Sequence, residues 1–231
     1  MKKILKSQIS FSFFLFTMED GLYRKRHSLS HILAQAMQRE QQRDVEVAIG
    51  PAIDNGFYYD FLFSQDKQLK EEDLKRIQSQ MEKIIKENQD FVGFSLPDAE
   101  SQKLVLDLMK QQYKEEMRSE FAAAGEEITF WANTIVGSAK DALLKGINPE
   151  YLAYYQTVTD FLQSRFPEQF AGKFVTFLDM CEGGHVNSTK EIDPRAFKLE
   201  KLAGAYWRGN SDNVMMTRSE EHTSELQSPE A

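Results

Sequence analysis

The sequence predicts an α+β fold in which an antiparallel sheet packs against amphipathic helices. Several segments have apolar residues at helical spacing, several short segments are rich in β-forming residues, and the two kinds follow one another without regular β–α–β alternation or internal repeat. An irregular order of this kind favours antiparallel pairing over a parallel sheet. The 231 residues, 41% of them hydrophobic, are enough to build a packed core.

Two amphipathic helices are predicted in the first half of the chain. In residues 21–42 one apolar stripe recurs at helical spacing, formed by Leu29, Ile32, Leu33, Ala36 and Met37. We therefore expect this helix to pack by one face. Residues 71–88 repeat the pattern, and their acidic start suits the positive end of a helix dipole.

Short strands are predicted around and after these helices. Residues 45–49 and 57–63 are separated by Gly50-Pro51 and by the turn sequence Asp54-Asn55-Gly56, which predicts a hairpin-like pair. Further on, β-forming residues predict strands at 91–96, 127–132, 174–180 and 197–202. Residues 97–116 are expected to be mostly helical. Residues 133–172 form a helical stretch whose aromatic residues we expect to face the core, namely Tyr151, Tyr154, Tyr155, Phe161 and Phe166.

Charge and cysteine content restrict the function classes. The net charge of −8 disfavours a long nucleic-acid duplex as partner and leaves a single-stranded end allowed. The lone Cys181 excludes an internal disulfide framework and fits a reducing cytoplasm. Residues 1–17 have three lysines and a short apolar run without a small-residue cleavage site, so read-through upstream of Met18 is favoured over a weak signal-like segment, and no membrane partner is expected.

The tail from Arg218 is unlike the rest of the chain. Residues 218–231 lack apolar periodicity and resemble an in-frame translation of a sequencing adapter. We expect this tail to be non-native, which removes His222 from consideration and makes the natural domain residues 18–217.

The remaining histidines and the cysteine form two pairs of equal spacing, His27-x-x-x-His31 and Cys181-x-x-x-His185. At 100° per residue, His27 and His31 lie about 160° and 200° from the centre of the apolar stripe. This position argues against ordinary core histidines, and it leaves two alternatives, a solvated helix face or a face that lines a cleft.

The second pair favours the cleft. A cysteine at a strand end and a histidine folded back across Gly183-Gly184 can offer sulfur and nitrogen to one centre. Four such ligands suit tetrahedral zinc, and an open position would let a bound water attack an ester. Asp179 is two residues before Cys181, where it either orients an imidazole or is a solvated carboxylate at the strand end.

Four segments carry a family resemblance over nearly all of residues 18–217: RHSLSHILAQA, AIGPAIDNGFYYDF, FLDMCEGGHVNSTKEI and AFKLEKLAGAYWRGNSDN. They resemble the editing domain of bacterial threonyl-tRNA synthetases. Alanyl-tRNA synthetases and their freestanding editing relatives share the two pairs, but GFYYDF followed by AGAYWRG is similar to the threonyl type.

The resemblance implies hydrolysis of the aminoacyl ester of mischarged seryl-tRNA(Thr), because a site that accepts threonine cannot strongly exclude the smaller serine. It implies that the catalytic residues are His27, His31, Lys114, Cys181 and His185. It also implies that Tyr59 and Asp179 contact the seryl-adenosine end, with the tRNA(Thr) acceptor end as partner.

The resemblance leaves the metal open. The four histidine and cysteine positions bind Zn²⁺ in the alanyl type, whereas threonyl domains work with water alone. It further implies that ATP is used only by a ligase core absent from this chain, and that the parent enzyme is a cytoplasmic homodimer through its other domains.

Two features depart from the family. Glu182 stands where a basic residue is usual, which weakens any local phosphate contact. Residues 133–172 form a longer helical insertion that either covers the pocket or lies on the fold away from it. Three alternatives to an editing hydrolase remain: a catalytically silent module that binds the tRNA acceptor end, a freestanding trans-editing hydrolase, and a zinc hydrolase with another substrate.

Overall fold

The computed structural model describes residues 2–41, 45–63, 69–109, 111–144 and 148–222, with the main chain alone at 2–20, 138, 139, 142, 144 and 222. The helices are α1 (Lys2–Gln41), α2 (Leu74–Lys86), α3 (Ala99–Met109), α4 (Gln112–Ala124), α5 (Gly137–Leu144) and α6 (Pro149–Arg165). The strands are β1 (Val45–Val47), β2 (Ala52–Ile53), β3 (Gly56–Phe63), β4 (Asp90–Ser95), β5 (Thr129–Ile135), β6 (Phe174–Met180), β7 (Leu199–Tyr206) and β8 (Met215–His222). Short 3-10 turns lie at Glu71–Asp73, Thr189–Glu191 and Trp207–Gly209.

The strands form two antiparallel sheets, so the predicted α+β class is confirmed. The large sheet has the order β1-β3-β8-β7, with β2 paired to β3 across the turn at Asp54 and Asn55. The small sheet has the order β4-β5-β6. Among the described residues, no helix combines the length and the apolar character needed to cross a membrane.

Helix α1 lies between the two sheets. Its apolar stripe joins one core cluster with α2, the large sheet and Phe177 of β6. Its opposite face is also buried, because Gln35 donates to the Thr176 carbonyl at 3.3 Å and accepts from Asn133 Nδ2 at 3.0 Å. The prediction that this helix packs by one face is therefore wrong, since the small sheet covers the polar side.

A second core cluster joins the small sheet to α3 and α6. Tyr151 and Tyr155 of α6 are buried in it, and Tyr154, Phe161 and Phe166 pack against it partly buried. The expectation of core-facing aromatics is confirmed. The predicted helical insertion begins too early, because β5 continues to Ile135 through pairing with β6.

Several element boundaries differ from the prediction. The helix expected over 97–116 is two helices, α3 and α4, of which the second begins at Gln112. The strand expected at 127–132 is β5, shifted later by two to three residues. Strand β8 was not predicted, and it extends from Met215 across the expected boundary at Arg218 to His222. Residues 223–231 of the tail lie outside the described part of the chain.

Candidate functional site

The four predicted histidine and cysteine side chains meet at one point between α1 and the end of β6. One ligand atom from each of His27, His31, Cys181 and His185 can be chosen so that all lie within 4.8 Å of one another. The rings of His27 and His185 stack at 4.2 Å, and those of His31 and His185 are 4.2 Å apart at a tilt of 55°. Of the two alternatives for the α1 histidines, a solvated face is wrong and a buried, cleft-lining face is confirmed.

The loop between β6 and His185 depends on its two glycines. Gly183 and Gly184 have φ values of +91° and +79°, a region that side-chain-bearing residues rarely adopt. A Cβ on Gly183 would stand 2.8 Å from the indole of Trp131. The loop therefore packs closely against the Trp131 ring and folds back on itself. This places Cys181 Sγ 3.3 Å from His185 Nε2.

Two residues that the sequence analysis missed hold His185 in place. Ser28 Oγ lies 3.3 Å from His185 Nδ1 and accepts a hydrogen bond from Val186 N at 3.0 Å. Arg24 Nε donates to the His185 carbonyl at 2.7 Å. Arg24, Ser28 and His31 recur at helical spacing on α1, and that shared face is the signal from which these residues could have been found.

Burial sets the protonation state of the cluster. Desolvation lowers the pKa of His27, and it lowers that of His31 and His185 well below the usual range, where the neighbouring histidines act in the same direction. Desolvation, followed by the charge of Asp179, raises the pKa of the Cys181 thiol. The imidazoles are therefore neutral at pH 7 and the free thiol is protonated.

A polar group formed by Asp179, Lys114 and Tyr59 adjoins the histidines. Tyr59 OH donates to Asp179 Oδ2 at 2.7 Å, and Lys114 Nζ lies 3.2 Å from Asp179 Oδ1. His31 Nε2 is 3.4 Å from Asp179 Oδ2. Asp179 is only 1% exposed, so its alternative as a solvated strand-end carboxylate is wrong. Burial and the Asp179 charge raise the pKa of Tyr59 well above its usual value, which keeps the phenol protonated.

All seven predicted site residues thus meet in one region. A pocket of about 310 Å³ opens beside them, lined by His27, His31, Lys114, Asp179 and Cys181, among others. Its remaining wall comes from the loop after β1, from the later turns of α4, from residues 126–129, from Met180 and Glu182, and from Tyr23. None of the described side chains of 133–172 is among those that line it.

The donor set suits a metal ion. Three imidazoles and one thiol are ligands that tetrahedral zinc accepts, and neutral imidazoles present free lone pairs. His27 Nδ1 and His31 Nδ1 are buried without a hydrogen-bond partner, and a neutral imidazole has one ring nitrogen with a free lone pair, so each ring can offer one nitrogen to a ligand. Ser28 Oγ can accept a hydrogen bond from His185 Nδ1–H, which would leave His185 Nε2 free to coordinate.

Comparison with known proteins identifies the class of domain. Residues 169–218, which carry Asp179, Cys181 and His185, match the family described as the threonyl and alanyl tRNA synthetase second additional domain. The predicted resemblance is thereby confirmed.

The relatives of the chain as a whole are threonine–tRNA ligases. That of Acetivibrio thermocellus is 35% identical over 214 residues, which cover 93% of this chain and 26% of the relative. That of Fusobacterium nucleatum is 36% identical over 193 residues, covering 84% and 24%. Threonine–tRNA ligase 1 of Bacillus subtilis is 34% identical over 200 residues, covering 87% and 24%. The chain thus spans about a quarter of the length of these curated relatives.

Proposed function

We propose that this chain hydrolyses the ester bond between serine and the 3′ end of mischarged tRNA(Thr). The observation that carries the proposal is the buried His27, His31, Cys181 and His185 cluster, which adjoins a pocket beside Lys114 and Asp179. The threonyl and alanyl family and the threonine–tRNA ligase relatives support a tRNA acceptor end as the partner. The matching ligases support a cytoplasmic location. They also support threonine as the amino acid whose ester should not be hydrolysed.

In the proposed reaction, neutral imidazoles serve as proton acceptors. His27 lines the pocket, and its lowered pKa keeps it unprotonated at pH 7, so it can accept a proton from a water that attacks the ester carbonyl. Lys114 presents an ammonium near the developing oxyanion. Tyr59 and Lys114 fix the Asp179 carboxylate, which is then placed to accept hydrogen bonds from the substrate amine.

Cys181 does not act as a nucleophile in this scheme. Burial raises the pKa of its thiol, whereas nucleophilic attack requires the thiolate. If zinc is bound, His27, His31, Cys181 and His185 would hold it, and the ion would supply Lewis acidity. The roles of Lys114, Asp179 and Tyr59 are the same with or without the ion.

Discrimination against threonine rests on its extra methyl group. Exclusion of one methyl or methylene group changes rates by about 10- to 200-fold. We therefore expect seryl-tRNA(Thr) to be hydrolysed about 10- to 200-fold faster than threonyl-tRNA(Thr).

The test is deacylation by the full chain of both aminoacyl-tRNAs, with wild type, Lys114→Met and the matched control Lys103→Met. Lys103 is exposed on α3 and does not line the pocket. We expect loss of seryl-tRNA hydrolysis in Lys114→Met alone. Equal rates for the two substrates would refute the editing assignment. Binding without hydrolysis would instead identify a silent acceptor-end module.

The metal is tested separately. Zinc content by elemental analysis, combined with deacylation before and after chelator treatment, distinguishes a metal-dependent from a water-based reaction. Stoichiometric zinc that is lost in His185→Ala would support the four-residue ligand set. Full activity in a zinc-free preparation would support the water-based reaction.

A further inference from the structure

The mouth of the pocket carries an exposed aromatic ring. Tyr23 lies on α1 one turn before His27, and 48% of the residue is exposed. Its ring centroid is 6.0 Å from that of His27, and Tyr23 is one of the residues that line the pocket. An aromatic ring of this exposure so close to the chemistry has no role in the mechanism given above.

The position of the ring suits contact with a flat ligand. Gly184 lies against Tyr23, where an added Cβ would be 3.5 Å from the ring carbon Cε1. The glycine main chain thus supports the ring, and about half of the residue remains open to solvent. Aromatic side chains held in this way are the surfaces on which single-stranded nucleic-acid bases stack.

One basic side chain lies beside the ring. Arg24, Lys25 and Arg26 follow Tyr23 on α1, but successive helical residues point about 100° apart, and Arg26 interacts with Glu221 and Asp54. Arg24 lies beside the histidine cluster, where its Nε donates to the His185 carbonyl. Arg24 is therefore already engaged with the main chain, and the exposed Tyr23 ring is the group at the pocket mouth that remains open to a ligand.

We propose that Tyr23 stacks on the nucleobase of the terminal nucleotide. The proposal rests on the proposed function, because the ester to be cleaved is attached to the ribose of this nucleotide. Tyr23 therefore positions the ester without taking part in proton transfer. Its loss weakens substrate binding and leaves the chemical step in place.

The probe is an RNA minihelix that ends in 2-aminopurine in place of adenine, with serine attached through a non-hydrolysable amide. The fluorescence of 2-aminopurine falls when it stacks, so the signal reports the contact directly. Wild type, Tyr23→Phe and Tyr23→Ala are compared in the full chain. Tyr206→Ala is the matched control, because Tyr206 is 45% exposed and does not line the pocket.

We expect wild type, Tyr23→Phe and the Tyr206 control to quench the probe equally. In Tyr23→Ala we expect no quenching and affinity lower by about 5- to 150-fold, the loss typical of one base–aromatic stack. With seryl-tRNA(Thr), KM rises in Tyr23→Ala at nearly constant kcat. Quenching and affinity unchanged in Tyr23→Ala, or no quenching by wild type, would overturn the proposal. Quenching by a wild-type protein that does not deacylate would refute hydrolysis and leave the stacking contact standing.

Discussion

The Lys114–Asp179 pair offers the most direct test of the site, because it links activity to stability. Lys114 Nζ and Asp179 Oδ1 are 3.2 Å apart, and the two residues are only 3% and 1% exposed. At that distance and an effective dielectric constant of about 20, the attraction is about 5 kcal/mol before the cost of desolvation is subtracted. Removing one partner of a buried pair leaves the other charge uncompensated, which typically costs about 3–5 kcal/mol.

We therefore expect Lys114→Met and Asp179→Asn each to lower the free energy of unfolding by about 3–5 kcal/mol. The double variant should be less destabilised than the sum of the two by about 0.5–3 kcal/mol, because it contains no unpaired charge. Urea unfolding of the four proteins at pH 7 measures this coupling. Effects that add within about 0.3 kcal/mol would refute the ion pair. Deacylation should be absent in all three variants, including the partly restabilised double variant.

Three other residues give separate predictions. Tyr59→Phe removes the hydroxyl that donates to Asp179, and urea unfolding should show a loss of about 1–3 kcal/mol. In Gly183→Ala the new side chain would be held at a φ of +91° and would clash with the adjacent indole ring. This variant should therefore lose more stability and deacylation activity than the control Gly125→Ala, whose Cβ has nothing within 4 Å. Desolvation raises the pKa of Glu221 from 4.5 to about 8, so the folded state holds its proton more tightly than the unfolded state. The free energy of unfolding of wild type, compared with that of Glu221→Gln, should fall by up to about 5 kcal/mol as pH rises from about 4.5 to 8. The same pH dependence of the unfolding free energy in both proteins would contradict this.

The sequence was sufficient to predict which side chains meet in the candidate site, but not how deeply they are buried. Helical periodicity correctly placed His27 and His31 opposite the apolar stripe of α1. Whether that face meets water or protein depends on the small sheet, whose strands lie at residues 90–95, 129–135 and 174–180. No local pattern in α1 reports on strands so far along the chain.

The same reasoning applies to the group around Asp179. Strand alternation placed Asp179 on the same face as Cys181, but its partner Tyr59 is 120 residues away, and Lys114 is on a helix whose start was misplaced. Strand β8 was missed because MMTRSEEH is not rich in β-forming residues, and its place is fixed by pairing with both β3 and β7. Pairing with two neighbours here outweighs weak intrinsic preference.

The charges around the pocket restrict how an acidic domain can receive a polyanion. At the base of the pocket the imidazoles are neutral, the thiol is protonated and the Lys114 ammonium faces the Asp179 carboxylate, so this region carries little net charge. Three exposed acidic residues, Glu126, Glu127 and Glu182, also line the pocket, so its mouth offers no electrostatic attraction for a phosphate. Under the proposed function, stacking on Tyr23 rather than local charge holds the terminal nucleotide, while the base of the pocket distinguishes amino acids by size and hydrogen bonding.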